Sequence, residues 1–147
     1  MTLKPLLNHT NTRLMLKSHG LRATPQRLLV FQILEEADDH LDAEDIWGYG
    51  QDYDPSLSLA TVYRTLNVLK KVGLVEQRYF ARDHKREYYE PSQKEEHYHF
   101  TCLGCGRVIE IQTPRITQAR RELTEQLGLD VTHACICFEG YCQNCAN

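Results

Sequence analysis

The sequence predicts an α+β protein of two small domains. The first is a winged helix-turn-helix domain, and the second is a small α/β domain with a three-stranded sheet and a four-cysteine zinc site. Three observations carry this prediction: four helical segments followed by a hairpin, two Cys-x-x-Cys pairs, and a polar proline-containing stretch at 90–96 between them. We take that stretch as a hinge, which divides the chain into residues 1–90 and 91–147.

Capping signals and apolar spacing predict the helices of the first domain. Thr24 followed by Pro25 is a start signal, because the hydroxyl caps the helix and proline at the first helical position gives up no hydrogen bond. Asp42 and Ser58 are caps of the same kind for the third and fourth helices. The expected helices span residues 12–19, 25–36, 43–49 and 59–72.

The fourth helix has the features of a DNA-recognition helix. Its apolar residues repeat at helical spacing and predict a core-facing stripe (Val62, Leu66, Leu69 and Val72). Thr61, Tyr63 and Arg64 fall largely outside that stripe, near the start of the helix, and suit the major groove. An ordinary amphipathic surface helix is the alternative.

A β-hairpin is predicted next, with strands at 74–80 and 85–89 around a polar, basic turn. Helix, helix, recognition helix and hairpin form the order of a winged helix. The wing would carry Arg82, Lys85 and Arg86.

The net charge of −3 conceals charge blocks. Residues 1–34 carry five basic side chains and no acidic one, and residues 35–54 carry nine acidic and no basic. Residues 55–86 carry seven basic against two acidic, and residues 87–147 five basic against nine acidic. Two basic segments around an acidic one fit a DNA-binding first domain, although such blocks are often only solvated faces.

In residues 91–147 the sequence pattern predicts strands at 98–102, 108–111 and 131–138, with a helix at 116–127. A domain this small has a thin core, so zinc and dimerisation are plausible supplements. No apolar run approaches the roughly 18 residues of a membrane span, and residues 1–18 lack a signal-peptide pattern. A cytoplasmic location is expected.

Four cysteines predict a structural Zn²⁺ site: Cys102, Cys105, Cys142 and Cys145. Two-residue gaps let both sulfurs of a pair reach one ion, and closed four-thiolate sites are overwhelmingly structural. In a reducing compartment, metal is favoured over disulfides. Gly104 is expected to permit the tight turn of the first pair.

His97 and His99 indicate a second metal site of different chemistry. Extended residues two apart face the same way, so both imidazoles could bind one ion. Glu90, Glu110 and His40 are candidates for the missing ligands. Mixed imidazole and carboxylate ligands suit Fe²⁺, Mn²⁺ or Zn²⁺. Two such sites suggest a sensor more than a catalyst.

Three further metal-binding side chains, His133, Cys135 and Cys137, alternate along the last predicted strand. They would face one side of it and could form a thiol-rich patch. Small buried apolar residues are the favoured interpretation of the two cysteines.

Assembled in order, these motifs resemble the Fur family of metal-responsive transcriptional regulators over nearly the whole chain. The stretches that carry the resemblance are Gly20-Leu-Arg-Ala-Thr-Pro-Gln-Arg27, His40-Leu-Asp-Ala-Glu-Asp-Ile46, Ala60-Thr-Val-Tyr-Arg-Thr-Leu66, His97-Tyr-His-Phe-Thr-Cys-Leu-Gly-Cys-Gly106 and Gly140-Tyr-Cys-Gln-Asn-Cys145.

The resemblance implies a C-terminal α/β dimerisation domain and a homodimer on a palindromic operator in double-stranded DNA. It implies a regulatory metal on His40, Glu90, His97 and His99, with Glu110 as an additional ligand and Glu87 as an alternative to Glu90. It places Tyr63 and Arg64 at bases and phosphates and Lys17 at the minor groove. Arg22, Ser58 and Thr61 complete the candidate DNA contacts.

The expected function is a metal-dependent DNA-binding regulator, a repressor, whose metal bridges the two domains and sets the operator-competent geometry. Peroxide-sensing and zinc-sensing regulators on the same scaffold are alternatives. A small metalloenzyme and a zinc-ribbon interaction module without sensing are the alternatives from other classes.

Overall fold

The computed structural model describes residues 9–38, 40–79, 86–92, 96–131 and 136–146. They form five helices and five strands, which confirms the α+β class. They divide into two compact units, the first made of the described residues up to 79 with 86–92, the second of those from 96 onward. The predictions for Arg82, Lys85, His133 and Cys135 concern residues outside these ranges.

The first unit contains four helices, and three of them begin at their predicted caps. The helices are α1 (His9–Ser18), α2 (Pro25–Glu36), α3 (Ala43–Gln51) and α4 (Leu59–Lys71). The Thr24 side chain accepts a hydrogen bond from the Arg27 N–H, and Ser58 accepts one from the N–H of Thr61. Asp42 forms a capping box with Asp45 at the start of α3.

Helix α2 lies at the centre of the first unit. All seven of its residues from 28 to 34 are buried, including the polar Gln32. Around it pack α1, α3 and α4. The predicted stripe on α4 is buried at Val62, Leu66 and Leu69. A helix enclosed on every side contributes more buried apolar area than an amphipathic surface helix.

Strands β1 (Val75–Tyr79) and β2 (Glu87–Pro91) form an antiparallel pair after α4. Glu90 and Pro91, which the sequence assigns to the hinge, are the last two residues of β2, so regular pairing extends two residues beyond the predicted strand. Pro91 pairs with Val75 at the very end of the ladder, where a missing N–H is tolerated. Leu41 forms an isolated bridge with Tyr89 on β2.

The second unit contains a three-stranded sheet and one helix. The elements are β3 (Tyr98–Cys102), β4 (Val108–Ile111), α5 (Pro114–Leu127) and β5 (Cys137–Gly140). The strand order is β4-β3-β5, with β4 antiparallel and β5 parallel to β3. Strands β3 and β4 have their predicted bounds. Strand β5 does not: Val131 and Ile136 lie outside it, and it continues to Gly140.

Helix α5 begins two residues before its prediction, because Thr113 and Pro114 repeat the start signal seen at α2. It ends as predicted at Gly128, which adopts a left-handed conformation with φ of 63°. None of its residues is buried. No helix among the described residues has both the length and the apolar character that crossing a membrane requires.

Candidate metal centres

The four cysteine sulfurs of the second unit lie within 4.8 Å of one another. Each pair sits in a turn closed by its own backbone: the Gly106 N–H donates to the Cys102 carbonyl, and the Cys145 N–H donates to that of Cys142, both at 2.8 Å. The sulfurs of Cys105 and Cys142 are 3.9 Å apart. Tetrahedral Zn–S bonds of about 2.3 Å place sulfurs roughly 3.8 Å apart, so this donor set fits Zn²⁺.

Gly104 lies inside the first Cys-x-x-Cys pair and Gly106 directly follows it, and the structure requires a glycine at each position for a different reason. Gly104 was expected to supply the turn conformation, but the glycine with positive φ is Gly106, at 71°. At Gly104 a Cβ atom would lie 2.9 Å from the Cys145 Cβ and 3.1 Å from its sulfur. Gly104 therefore allows the two cysteine pairs to approach each other, and the expected role in the turn is wrong.

The backbone also prepares one sulfur to bind a cation. The Cys142 N–H donates to the Cys102 sulfur at 3.3 Å, and this bond, with one from the Cys105 N–H, lowers the pKa of Cys102 to about 6. Hydrogen bonding with the thiols of Cys142 and Cys105 raises the pKa of Cys145 to about 12. The Cys102 sulfur is therefore prepared to bind a metal ion as a thiolate, whereas the ion must displace the proton of Cys145.

The first unit brings together His40 and Glu90 of the predicted regulatory set. His40 Nε2 lies 3.5 Å from Oε2 of Glu90, whose side chain is 4% exposed. The loop that carries His40 is held against β2, because the Tyr89 N–H donates to the Leu41 carbonyl at 2.8 Å. Glu87, the alternative ligand, instead accepts hydrogen bonds from the hydroxyls of Tyr79 and Tyr89.

The second unit brings together His97, His99 and Glu110. The two imidazole rings are 4.9 Å apart and nearly perpendicular, so both lie on one side of the chain, as alternation predicts. His97 Nε2 is 3.9 Å from Oε1 of Glu110, and His99 is paired with Glu110 across β3 and β4. Both histidines are buried, whereas the Glu110 side chain is 42% exposed.

Arg78 on β1 contacts the candidate ligand Glu90, although the sequence does not single it out. Its Nε donates to Oε1 of Glu90 at 2.7 Å, and its NH2 nitrogen lies 2.5 Å from Oε2 of Glu76. No local sequence signal identifies it, because only the β1–β2 register sets Glu76 opposite Glu90.

The candidate DNA contacts of the first unit are mostly accessible. Tyr63 and Arg64 on α4 are exposed, as are Lys17 at the end of α1 and Arg22 in the following loop. Ser58 and Thr61 differ, because their hydroxyls lie 2.9 Å apart and Ser58 already caps α4. Tyr63 donates a hydrogen bond to Glu44 at 3.4 Å, and its pKa is raised by partial desolvation of the phenol and then by the negative charge of Glu44.

Of His133, Cys135 and Cys137, only Cys137 lies within the described residues. It is exposed at the first position of β5, so the burial expected for it is wrong. Strand β5 is an edge strand of the sheet, which leaves this position uncovered.

Comparison with known proteins places these features in one family. The model of the ferric uptake regulator family matches residues 18–138. The ferric uptake regulation protein of Yersinia pestis is 34% identical over 139 residues, which cover 92% of this chain and 93% of that protein.

Two solved structures agree with this fold along most of both chains. The Helicobacter pylori ferric uptake regulator, described with three functional metal-binding sites, is 28% identical with a TM-score of 0.74, covering 100% of this chain and 98% of that one. The Campylobacter jejuni peroxide stress regulator is 32% identical with a TM-score of 0.69, covering 90% and 97%. The resemblance is confirmed: the chain belongs to the ferric uptake regulator family, whose members are metal-responsive transcription regulators and not enzymes.

Proposed function

We propose that the chain is a metal-dependent, DNA-binding repressor whose regulatory ion takes ligands from both units. The ion would be bound by His40, Glu90, His97 and His99, with Glu110 as a further ligand. The observation that carries the proposal is the incomplete ligand set in each unit. The first offers an imidazole beside a buried carboxylate at 3.5 Å, and the second offers two buried imidazoles beside a carboxylate.

Sharing of ligands would make the ion a switch. A divalent ion of this class takes at least four ligands, and neither set alone supplies four protein ligands, so an ion bound by one unit would have to complete its shell with water. Binding of one ion by both sets selects the arrangement of the two units in which the sets meet, and shifts the population towards it. A change from 1:99 to 99:1 requires the ion to favour that arrangement by about 5.5 kcal/mol.

The two metal sites would have separate roles. The four cysteines all belong to the second unit, so Zn²⁺ bound there holds that unit together whatever the state of the switch. Imidazole and carboxylate ligands suit Fe²⁺, Mn²⁺ and Zn²⁺ alike, so the ligand types by themselves do not select among these three ions.

DNA binding is supported by the surface of the first unit. Tyr63 and Arg64 are exposed on α4, which follows α3 as the second helix of a helix-turn-helix and precedes the β1–β2 pair. The second helix of this motif is the element that enters the major groove. Lys17 and Arg22 add cations that suit phosphates, with Lys17 at the minor groove. Ser58 and Thr61 lie at the N-terminus of α4, where a phosphate oxygen can also accept backbone hydrogen bonds. Affinity should therefore fall steeply with salt.

A homodimer is supported by the uncovered apolar residues of the second unit. Leu123, Leu127 and Leu129 on and after α5 are 47%, 63% and 48% exposed. Pairing of this face with the same face of a second copy would cover them. A two-fold dimer presents two recognition helices to the two halves of a palindromic operator.

The test is operator affinity of the double variant His97→Ala, His99→Ala with and without Mn²⁺, measured by fluorescence anisotropy. We expect the metal to tighten binding of the wild type and to leave the variant at its metal-free affinity. Zinc content must stay at one ion per chain, which shows that the cysteine site is intact. If Mn²⁺ still tightened binding of the variant by the wild-type factor, the shared-ligand switch would be wrong.

Peroxide sensing is a second candidate, favoured by the 32% identity to the Campylobacter jejuni peroxide stress regulator. In that case Fe²⁺ at the same site would promote oxidation of a histidine ligand. Mass spectrometry of Fe²⁺-loaded protein after peroxide treatment tests it. One added oxygen atom on His40 or His97 supports this function, and unmodified histidines together with lost DNA binding exclude it.

A further inference from the structure

We propose that Arg78 is a positioning residue of the regulatory metal site, which holds one oxygen of Glu90 and so presents the other oxygen to the ion on the His40 side. This inference rests on the proposed function, because it takes Glu90 as a metal ligand. All the residues that carry it lie in the first unit.

The two oxygens of Glu90 have different neighbours. Oε1 accepts a hydrogen bond from Arg78 Nε at 2.7 Å, whereas Oε2 lies 3.5 Å from His40 Nε2. A carboxylate held in this way cannot rotate without breaking a charge-assisted hydrogen bond. The oxygen nearer to the imidazole is therefore kept there before an ion binds.

The Arg78 guanidinium is shared between two carboxylates, those of Glu90 and Glu76. Arginine often binds both oxygens of one carboxylate with two parallel N–H groups. Here the NH2 nitrogen is directed to Oε2 of Glu76 at 2.5 Å, while Nε is directed to Glu90. Glu76 and Glu90 are direct partners in the β1–β2 register, and like charges at such positions repel. Arg78 relieves that repulsion by bridging them.

Burial makes a cationic partner necessary. The Glu90 side chain is 4% exposed and that of Arg78 is 20% exposed. An ionised carboxylate in such surroundings is costly unless it is paired and hydrogen-bonded. Arginine remains charged under all ordinary conditions and its fork is rigid, so Arg78 both compensates the charge of Glu90 and fixes its direction.

The positive charge of Arg78 would by itself repel a metal cation and so oppose the benefit of orienting Glu90. The negative charge of Glu76 removes this repulsion. Because Glu76 pairs with the same guanidinium, Arg78 and Glu76 together add no net charge. The ion therefore still meets the negative charge of Glu90. The effect of Arg78 on metal binding is then mainly one of orientation, and its removal should weaken the site.

The experiment measures Mn²⁺ affinity by competition with a fluorescent chelator, on the full chain with Zn²⁺ retained at the cysteines. Mn²⁺ is chosen because it disfavours thiolates. The variants are Arg78→Ala, Arg78→Gln, Arg78→Lys and Glu90→Ala. Lys71→Ala is the matched control, since it removes one exposed positive charge from the same unit.

We expect Arg78→Ala and Arg78→Gln to weaken Mn²⁺ binding about tenfold or more, the usual effect of removing a partner that orients a ligand. Arg78→Lys should recover part of the loss, because it keeps the charge and one donor. Lys71→Ala should match the wild type. Arg78→Gln keeps a long polar side chain, so the comparison stands even where alanine lowers stability.

The visible absorption spectrum of Co²⁺ at this site provides a readout that strand stability alone does not change. We expect Arg78→Gln to alter the band positions or intensities in folded, fully loaded protein, and Lys71→Ala to leave them unchanged. Wild-type affinity and spectrum in Arg78→Ala and Arg78→Gln, with weaker binding in Glu90→Ala, would overturn the role of Arg78 alone. Wild-type affinity in Glu90→Ala would instead overturn the regulatory site on which that role rests.

Discussion

The Nε atom of Arg86 donates a hydrogen bond to Oδ2 of Asp42 at 2.5 Å, and so ties the residue before β2 to the cap of α3. The Asp42 side chain is 2% exposed, whereas that of Arg86 is 63% exposed. Oδ1 of Asp42 meanwhile accepts the N–H of Asp45 at 2.8 Å. One buried carboxylate thus serves two purposes, capping a helix and pairing with an arginine.

These two purposes can be separated by substitution. Asp42→Ala removes both, and we expect it to lower the free energy of unfolding by about 2 kcal/mol, the upper range for a lost cap. Asp42→Asn keeps a good cap and loses only the ion pair, which solvent screens at the exposed arginine, so it should cost about 1 kcal/mol or less. Urea unfolding monitored by circular dichroism measures both. Equal losses in the two variants would mean that the ion pair dominates.

Gly104→Ala should weaken zinc retention at the cysteine site. The added Cβ would lie 2.9 Å from the Cys145 Cβ, closer than unstrained atoms approach, so one cysteine pair must move and the tetrahedral geometry is lost. We expect zinc to transfer to a chelator at least about tenfold faster, as for other perturbed metal sites. A chromogenic chelator assay follows the release.

Gly48→Ala is the matched control for that variant. It lies within α3 with open space around its Cα, so alanine should leave zinc release unchanged and stabilise the helix by up to about 1 kcal/mol. Zinc release from Gly104→Ala at the wild-type rate would show that the close approach of Cys145 is relaxed in solution.

Features that depend on neighbouring residues could be predicted from the sequence. The caps at Thr24, Asp42 and Ser58 were predicted because each needs only the next three residues. Thr113 and Pro114 form the same kind of start signal, a hydroxyl cap followed by proline, at the first residue of α5. The cysteine pairs were predictable because their spacing alone brings the sulfurs together.

Features that depend on which elements become neighbours could not be predicted in this way. The burial of α2 on all sides follows from three helices packing around it. The role of Arg78 requires the register that sets Glu76 opposite Glu90. The exposure of Cys137 follows from the position of β5 at the sheet edge. The sequence pattern alone does not reveal which helices and strands become neighbours.

With its guanidinium on a phosphate, Arg64→Ala should weaken operator binding about equally for related sequences and reduce the slope of log affinity against log salt by about one. The residue is exposed on α4, and its Nε donates to the Ala60 carbonyl at 3.3 Å. Fluorescence anisotropy over a salt series provides both values. Arg121→Ala, an exposed arginine on α5, is the control and should change neither.

Leu127→Glu should dissociate the proposed homodimer. The Leu127 side chain is 63% exposed at the end of a helix with no buried residue, and pairing of two such faces would place a carboxylate in an apolar contact. Unpaired burial of a carboxylate costs several kcal/mol, enough to shift a dimer to monomer at micromolar concentration. Sedimentation velocity measures the change. Leu14→Glu is the control, because it alters a 60% exposed leucine on α1 of the first unit. This variant should sediment with the same mass as the wild type. Dimers of unchanged stability in Leu127→Glu would place the dimer contact on another face of the chain.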